Sequence, residues 1–306
     1  MNEYLLETVC LTKTYGHQRA VDDLSLHVPK GSIYGLIGRN GAGKTTFMKM
    51  IPGLAKPTSG EIRLFGADAE DSVGQSRIGA LIEAPGIYGD MTAFDNMRLK
   101  AVATGVYHRG KINELLALVG LSDTGHKKAG QFSLGMKQRL GIAMSLIGTP
   151  DLLILDEPIN GLDPVGVIEI RELIEKLSRE YEMTVIISSH ILDELARIAT
   201  HYGIINEGKL VRELSKEELL DQCAECVEIK SDAVKEVCLA LEEMGYAEYE
   251  VCDSATVRVP NCCDRVGEIN MTLARRGILL RGISVRQESL EEFFVNLTGG
   301  AGEIHE

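Results

Sequence analysis

No apolar run in this 306-residue chain approaches the roughly 18–20 residues that a membrane-spanning helix needs. Basic charge is also scarce: 45 acidic residues outweigh 32 basic ones, for a net charge of −13. That balance opposes a role on nucleic acid, whose phosphates call for clustered lysine and arginine. It leaves open docking on an integral membrane partner, which requires no contact with lipid. Metal-site spacing is missing among the seven cysteines. Cys223 and Cys226 form one CxxC pair with no second pair or histidine nearby, and adjacent Cys262 and Cys263 read as packing residues. The opening MNEYLLETVC has neither the basic nor the apolar segment of a secretory signal. The odd set of thiols is therefore expected to be reduced, in a cytoplasmic protein. Repeats and low-complexity tracts are absent.

The rest of the composition is that of a globular protein with a sizeable core, 44% hydrophobic and 25% charged, and the length suggests two domains. SIYGLIG, Ser32 to Gly38, reads as a short buried strand running into GRNGAGKTT and then an apolar helix that starts near Lys44 and stops near Pro52-Gly53. This is GxxxxGK[ST] in its strand–loop–helix setting, the phosphate loop. Across Gly38, Arg39, Asn40, Gly41, Ala42 and Gly43 the glycines let backbone N–H groups converge on phosphate oxygens. The helix N-terminus adds partial positive charge. Lys44 supplies a full cation to the β- and γ-phosphates, the Thr45 hydroxyl is placed to ligate Mg2+, and Thr46 follows it into the helix. ATP and Mg2+ are the cofactors expected.

LLILDEP, Leu152 to Pro158, supplies the matching acidic strand, with the apolar continuity of a parallel strand buried on both faces. Asp156 at its carboxyl end is expected to hold Mg2+ through water. Glu157 follows immediately and is expected to act as general base on the attacking water. TVIISSH, Thr184 to His190, is a further buried strand, ending in a histidine.

Between the two phosphate-handling motifs lies QFSLGMKQRLGIAMSL, Gln131 to Leu146. A Ser-x-Gly-x-x-Gln-Arg block just ahead of an acidic strand resembles the signature sequence of ATP-binding cassette (ABC) proteins, and the resemblance extends over Leu5 to Leu214. It implies an α/β P-loop ATPase core with an inserted helical subdomain, and roles for particular residues. Ser133, Leu134, Gly135 and Met136, in the signature, contact ATP bound to a partner subunit. Asn160, Gly161, Leu162 and Asp163, in NGLDP, resemble the D-loop that crosses to that partner. His190 resembles the switch histidine on the γ-phosphate, and Tyr15 stands where cassettes keep an aromatic ring stacked on adenine. The working unit implied is a head-to-tail homodimer, or a heterodimer with a second cassette, coupled to an integral-membrane permease and peripheral to the inner face of the cell membrane.

Two departures mark a subgroup. Phe132-Ser133-Leu134-Gly135-Met136 replaces the common LSGGQ, and Glu83 stands where the Q-loop glutamine is expected, near Mg2+ and the attacking water. A glutamate there resembles cassettes that protect bacteria against lantibiotics and related peptide antibiotics. A carboxylate is favourable beside the metal and repulsive beside the γ-phosphate.

The segment from about 84 to 150 carries apolar residues at three- and four-residue spacing in TAFDNMRLKAVATG and KINELLALVGL, as helices do. It is expected to be the helical subdomain that docks the permease. Beyond residue 214 the composition shifts, with twelve acidic and three basic residues between Glu213 and Glu250. Strands are expected at 226–230, 249–253, 255–260 and 278–287, with helices at 232–245 and 263–277 between them. That order is the split βαβ, ferredoxin-like arrangement of a small accessory domain over 215–306. Ser289 and Glu292 form a capping-box pattern before a final amphipathic helix, SLEEFFVNLTGG.

Three functional classes compete. A translation-type mechanochemical ATPase usually fuses two cassettes, and one phosphate loop is present. A DNA-repair type separates its motifs by a long coiled coil, whereas Lys44 and Asp156 are 112 residues apart. A small-molecule kinase explains neither the signature nor His190. The expectation is the ATP-hydrolysing subunit of a membrane exporter, for antibiotic peptides or lantibiotic self-protection; the alternative is a soluble ABC-type ATPase without a permease.

Overall fold

Short apolar runs closed by glycine or a polar residue build a six-stranded sheet, in the order Lys209–Ser215, His201–Asn206, Ile33–Ile37, Thr184–Ser189, Leu152–Asp156, Ile78–Leu81. Its neighbours are parallel except for the closing hairpin of His201–Asn206 with Lys209–Ser215. Every residue of Ile33–Ile37, Leu152–Asp156 and Thr184–Ser189 is buried, which is why these three read as unbroken hydrophobic runs rather than alternating ones. Being parallel neighbours, they deliver Ile37, Asp156 and Ser189 to one edge, where open α/β sheets bind their ligands. The computed structural model describes residues 4–68, 72–223, 225–246, 248–260, 262–287 and 289–298.

A second, antiparallel sheet is organised by the long strand Tyr4–Tyr15, which pairs with Gln18–Leu24, His27–Pro29 and Ser59–Leu64. The helix Lys44–Met50 lies in a core shared by the two sheets: Phe47 and Met48 pack with Leu6, Leu11, Leu24, Ile154 and Ile186, all fully buried. Each such side chain contributes about 1.5–3 kcal/mol through burial. The helix that presents the phosphate loop is therefore anchored by its apolar face.

Three helices stand between Ile78–Leu81 and Leu152–Asp156: Ala93–Ala103, Arg109–Leu118 and Leu134–Ser145. Thr92 caps the first, its hydroxyl accepting from Asp95 N–H at 3.1 Å, and Ser133 caps the third, accepting from Met136 N–H at 3.2 Å. The third helix crosses the loop after Ile78–Leu81 at a point with no room for a side chain. A Cβ on Gly141 would lie 2.9 Å from Pro85 Cβ and 3.0 Å from Leu81 Cδ1. No helix among the described residues is long and apolar enough to cross a membrane.

Contacts divide the chain after Lys216. The later unit contains a four-stranded antiparallel sheet in the order Glu250–Val251, Thr256–Pro260, Glu225–Lys230, Gly282–Gln287, with helices Val234–Glu243 and Val266–Arg275 in the intervals. In sequence order that is 2-3-1-4, the split βαβ arrangement. Two strands are shorter than their β-branched composition suggests. The strand expected at 249–253 stops at Val251 because Asp253 turns the chain, its Oδ1 accepting from Ala255 N–H at 2.7 Å. The strand expected at 278–287 starts only at Gly282, since the Leu279 carbonyl is taken by the Ser231 hydroxyl at 2.8 Å. Glu228 is buried on this sheet under Arg258, Lys230 and Arg286. Burial alone pushes its carboxyl up, and the three cations outweigh that and hold it below the usual carboxylate range. The capping box at Ser289 and Glu292 forms and opens the helix Leu290–Leu297; Gly299 and Gly300 of the amphipathic segment lie outside the described residues, as do the first three residues of the chain.

Candidate active site

A cleft of about 560 Å3 runs from Tyr15 to Glu157, floored by Asn40, Gly41, Ala42, Gly43, Lys44, Thr45 and Thr46. Gly43 holds the loop in shape at φ 105°, and its backbone passes so close to the neighbouring strand that a Cβ would fall 2.4 Å from the Ala20 carbonyl oxygen. Gly38, where strand turns to loop, is similarly confined, 2.5 Å from the Ile205 carbonyl oxygen. Lys44 is buried, and its ammonium donates to the Gly38 carbonyl at 2.6 Å and the Arg39 carbonyl at 3.2 Å. Burial pushes the Lys44 pKa down, and Glu157 and Asp156 oppose that shift. The amine therefore sits among backbone acceptors that an incoming phosphate can replace.

At the far end of the cleft the acidic strand ends in a hydroxyl clamp. Thr45 donates to Asp156 Oδ2 at 2.7 Å and Ser188 donates to Asp156 Oδ1 at 2.6 Å. Glu157 adopts a left-handed backbone, φ 47°, and its N–H donates to Ser188 Oγ at 2.9 Å. Its carboxylate lies 2.7 Å from His190 Nδ1 and 3.7 Å from the Lys44 ammonium. Lys44, Thr45, Asp156, Glu157 and His190, far apart in sequence, are thus one connected group.

Tyr15 is half exposed at the other end, with the Lys13 ammonium 4.9 Å from its ring centroid. Beside it the cleft is lined by Gln18, Arg19, Ala20, Glu207 and Gly208, none of which the sequence motifs identify. Glu207 and Gly208 are a left-handed hairpin turn whose Gly208 N–H donates to the Ala42 carbonyl at 2.9 Å, bracing the phosphate loop from outside. Their sequence signal was the turn itself, Asn-Glu-Gly-Lys between two strands.

Two groups lie apart from the cleft. None of Ser133, Leu134, Gly135 and Met136 is among the described residues that line it; Ser133 and Leu134 are exposed. The Leu134 side chain rests on the D-loop of its own chain, 3.3 Å from where a Gly161 Cβ would be, and Leu162 approaches Gly135 in the same way at 3.9 Å. Asn160 and Asp163 are exposed, with Asp163 at the N-cap of the helix Pro164–Tyr181. Glu83 is also exposed and left-handed, φ 63°, and it forms an ion pair with Lys49 at 2.5 Å. That pair raises the Lys49 pKa above its ordinary value.

Comparison with known proteins decides the family. The ABC transporter family model matches residues 21–160. The bacitracin transport ATP-binding protein BcrA of Bacillus licheniformis is 44% identical over 299 residues, 97% of this chain and 98% of that protein. The chain belongs to the ATP-binding proteins of ABC transporters. The lantibiotic transport ATP-binding protein SrtF of Streptococcus pyogenes is 46% identical over 209 residues, 68% of this chain and 90% of that protein. Among solved structures, the dimeric structure of MJ0796, a bacterial ABC transporter cassette, matches with a TM-score of 0.63 and 25% identity, over 69% of this chain and 98% of that one. The cassette is accordingly an ATP-binding ATPase, and its fold is that of the P-loop ABC ATPases.

Proposed function

We propose that this cassette is the ATP-hydrolysing subunit of a multi-subunit membrane exporter for antibiotic peptides, working as a head-to-tail dimer on the inner face of the cell membrane. The observation that carries the reading is the separation of two half-sites on one chain. Lys44, Thr45, Asp156, Glu157 and His190 form one connected group at the end of the cleft, whereas exposed Ser133 and half-buried Gly135 do not line it. Ser133 Oγ and the Gly135 N–H, at a helix N-terminus, suit the γ-phosphate of a nucleotide held by a second subunit. The match to BcrA runs through both units of the chain, while that to SrtF spans 209 residues, which favours a bacitracin-type peptide as cargo.

In this reading the phosphate loop and Lys44 bind the phosphates, and Tyr15 stacks on the adenine. Glu157 accepts a proton from the attacking water, His190 orients it toward the γ-phosphate, and the pre-set donors stabilise charge on the transferring phosphoryl group. Thr45 and Asp156 fit Mg2+, which typically takes one or two carboxylates together with substrate phosphates. The ion supplies charge neutralisation on those phosphates. Glu83, paired with Lys49, couples nucleotide state to the permease. Replacing it, Glu83→Ala, is expected to lower both ATPase turnover and transport about tenfold, the equivalent of one charge-assisted hydrogen bond; unchanged rates in both assays would remove Glu83 from the mechanism.

The permease contact we assign to a groove of about 300 Å3 between the helix Ala93–Ala103 and the signature helix, where Tyr88, Leu99 and Lys100 are exposed beside Met144. Its test is recovery of the native complex from membranes. An integral membrane protein is expected to co-purify with the wild-type chain and to be lost with Leu99→Asp, at an unchanged melting temperature. A chain that leaves the membrane fraction alone, with its ATPase intact, would instead support the soluble alternative.

A further inference from the structure

Ser188 is fully buried, and its hydroxyl joins the two acidic residues of the site. The placement follows from sheet register. Leu152–Asp156 and Thr184–Ser189 are parallel neighbours paired Leu152 with Thr184 through Asp156 with Ser188. Paired residues project to the same face, so the side chain opposite the terminal aspartate emerges beside it.

A serine hydroxyl has one proton to give and lone pairs to accept with. Here the proton goes to Asp156 Oδ1 and a lone pair receives the Glu157 N–H, at 2.6 and 2.9 Å. The peptide N–H, hydroxyl and carboxylate form a chain in which each bond polarises the next. Its two ends control different things. At the aspartate end, Thr45 holds the other carboxylate oxygen from the phosphate-loop helix, so Asp156 is fixed on both sides. If Thr45 turns toward a nucleotide-bound metal, Ser188 keeps Asp156 in place. At the glutamate end, the left-handed backbone is a strained and uncommon conformation for a non-glycine residue. The bond to Ser188 pins the peptide in that conformation, from which the Glu157 carboxylate reaches His190 and faces Lys44.

We infer that Ser188 is a positioning residue that sets the Asp156 and Glu157 carboxylates together through one hydroxyl. The inference rests on the assignment of those two acids to metal binding and proton abstraction. A displacement on the order of 1 Å in such groups can cost about a hundredfold in rate.

The experiment compares Ser188→Ala with Ser188→Thr, which keeps the hydroxyl, and with Glu157→Gln. Each is assayed for kcat and KM, for melting temperature, and for affinity toward a fluorescent ATP analogue with Mg2+ and with EDTA. For Ser188→Ala the expected result is a kcat lowered about 10- to 100-fold with KM for ATP within about threefold. Analogue affinity is expected to weaken by no more than about threefold in Mg2+ and to stay unchanged in EDTA, and Ser188→Thr is expected to recover most of the turnover. The inference is overturned if Ser188→Ala keeps kcat within twofold of wild type. It is equally overturned if the lost rate only tracks a lower melting temperature, with Ser188→Thr no better. If Glu157→Gln also turns over normally, the assignment of the acids fails rather than the role of Ser188 alone.

Discussion

Glu157→Gln is expected to bind ATP as the wild-type chain does, to hydrolyse it about 100- to 10,000-fold more slowly, and to accumulate as a closed dimer. The substitution keeps the side chain's shape and removes its basicity. Binding survives because the phosphates are held by the loop and by Lys44, whose hydrogen bonds at 2.6 and 3.2 Å are with backbone carbonyls, the Glu157 carboxylate lying farther off at 3.7 Å. The rate falls because a neutral amide cannot accept the water proton. Its geometry is otherwise retained: the Glu157 N–H bond to Ser188 belongs to the backbone and is indifferent to the side chain. Single-turnover hydrolysis and size-exclusion chromatography in ATP check the two halves of the result. Ordinary turnover would take the role of base away from Glu157.

Gly43→Ala tests the loop itself and should abolish nucleotide binding through sterics, with no charge removed. The new methyl would meet two obstacles, a backbone φ of 105° that L-residues rarely adopt and the Ala20 carbonyl oxygen at 2.4 Å. Strain and overpacking together cost about 2–6 kcal/mol, since a backbone atom in a paired strand cannot swing aside as a side chain can. Gly41→Ala is the control. Gly41 is also left-handed, φ 82°, yet a Cβ there has open space around it. Its cost is the backbone strain alone, about 1–3 kcal/mol. Melting temperature and affinity for a fluorescent ATP analogue should rank wild type, then Gly41→Ala, then Gly43→Ala with little or no binding. Equal effects at the two glycines would mean that the contact with Ala20 does not limit the loop.

The contrast between those glycines shows where motif reading stops. Gly43 occupies a required position of GxxxxGK[ST] and Gly41 a free one, and the pattern alone does not say what sets them apart. One faces solvent and the other a strand more than twenty residues earlier. The candidates Lys44, Thr45, Asp156, Glu157 and His190, which the fold brings together, were legible because each sits at a strand end or loop whose local pattern announces it. The boundaries at 251 and 282 in the second unit were less so: Cys252 and Ile278 fall within the expected strands but outside the observed ones, where side-chain bonds to the backbone from Asp253 and Ser231 intervene.

The departures at Leu134 and Glu83 were visible in sequence only as departures. The structure gives each a partner on the same chain, Gly161 for Leu134 and Lys49 for Glu83. Lys49 lies on the same helix as Lys44 and 34 residues before Glu83, and nothing in the local pattern of either segment points to the other.

By itself the sequence determined which groups this protein offers as candidates for phosphate, metal and water, the order in which they occur, and the strand–loop–helix context that makes the first of them a nucleotide site. Those are properties of residue type and of short-range periodicity. Only the tertiary structure decided which hydroxyl holds the acids, which turn braces the phosphate loop and which glycine has no room to change. Ser188 meets Asp156 across 32 residues and Gly208 meets Ala42 across a still longer span. Such contacts are set by the register of parallel strands and by the packing of one sheet on another, and no local pattern of residues encodes them.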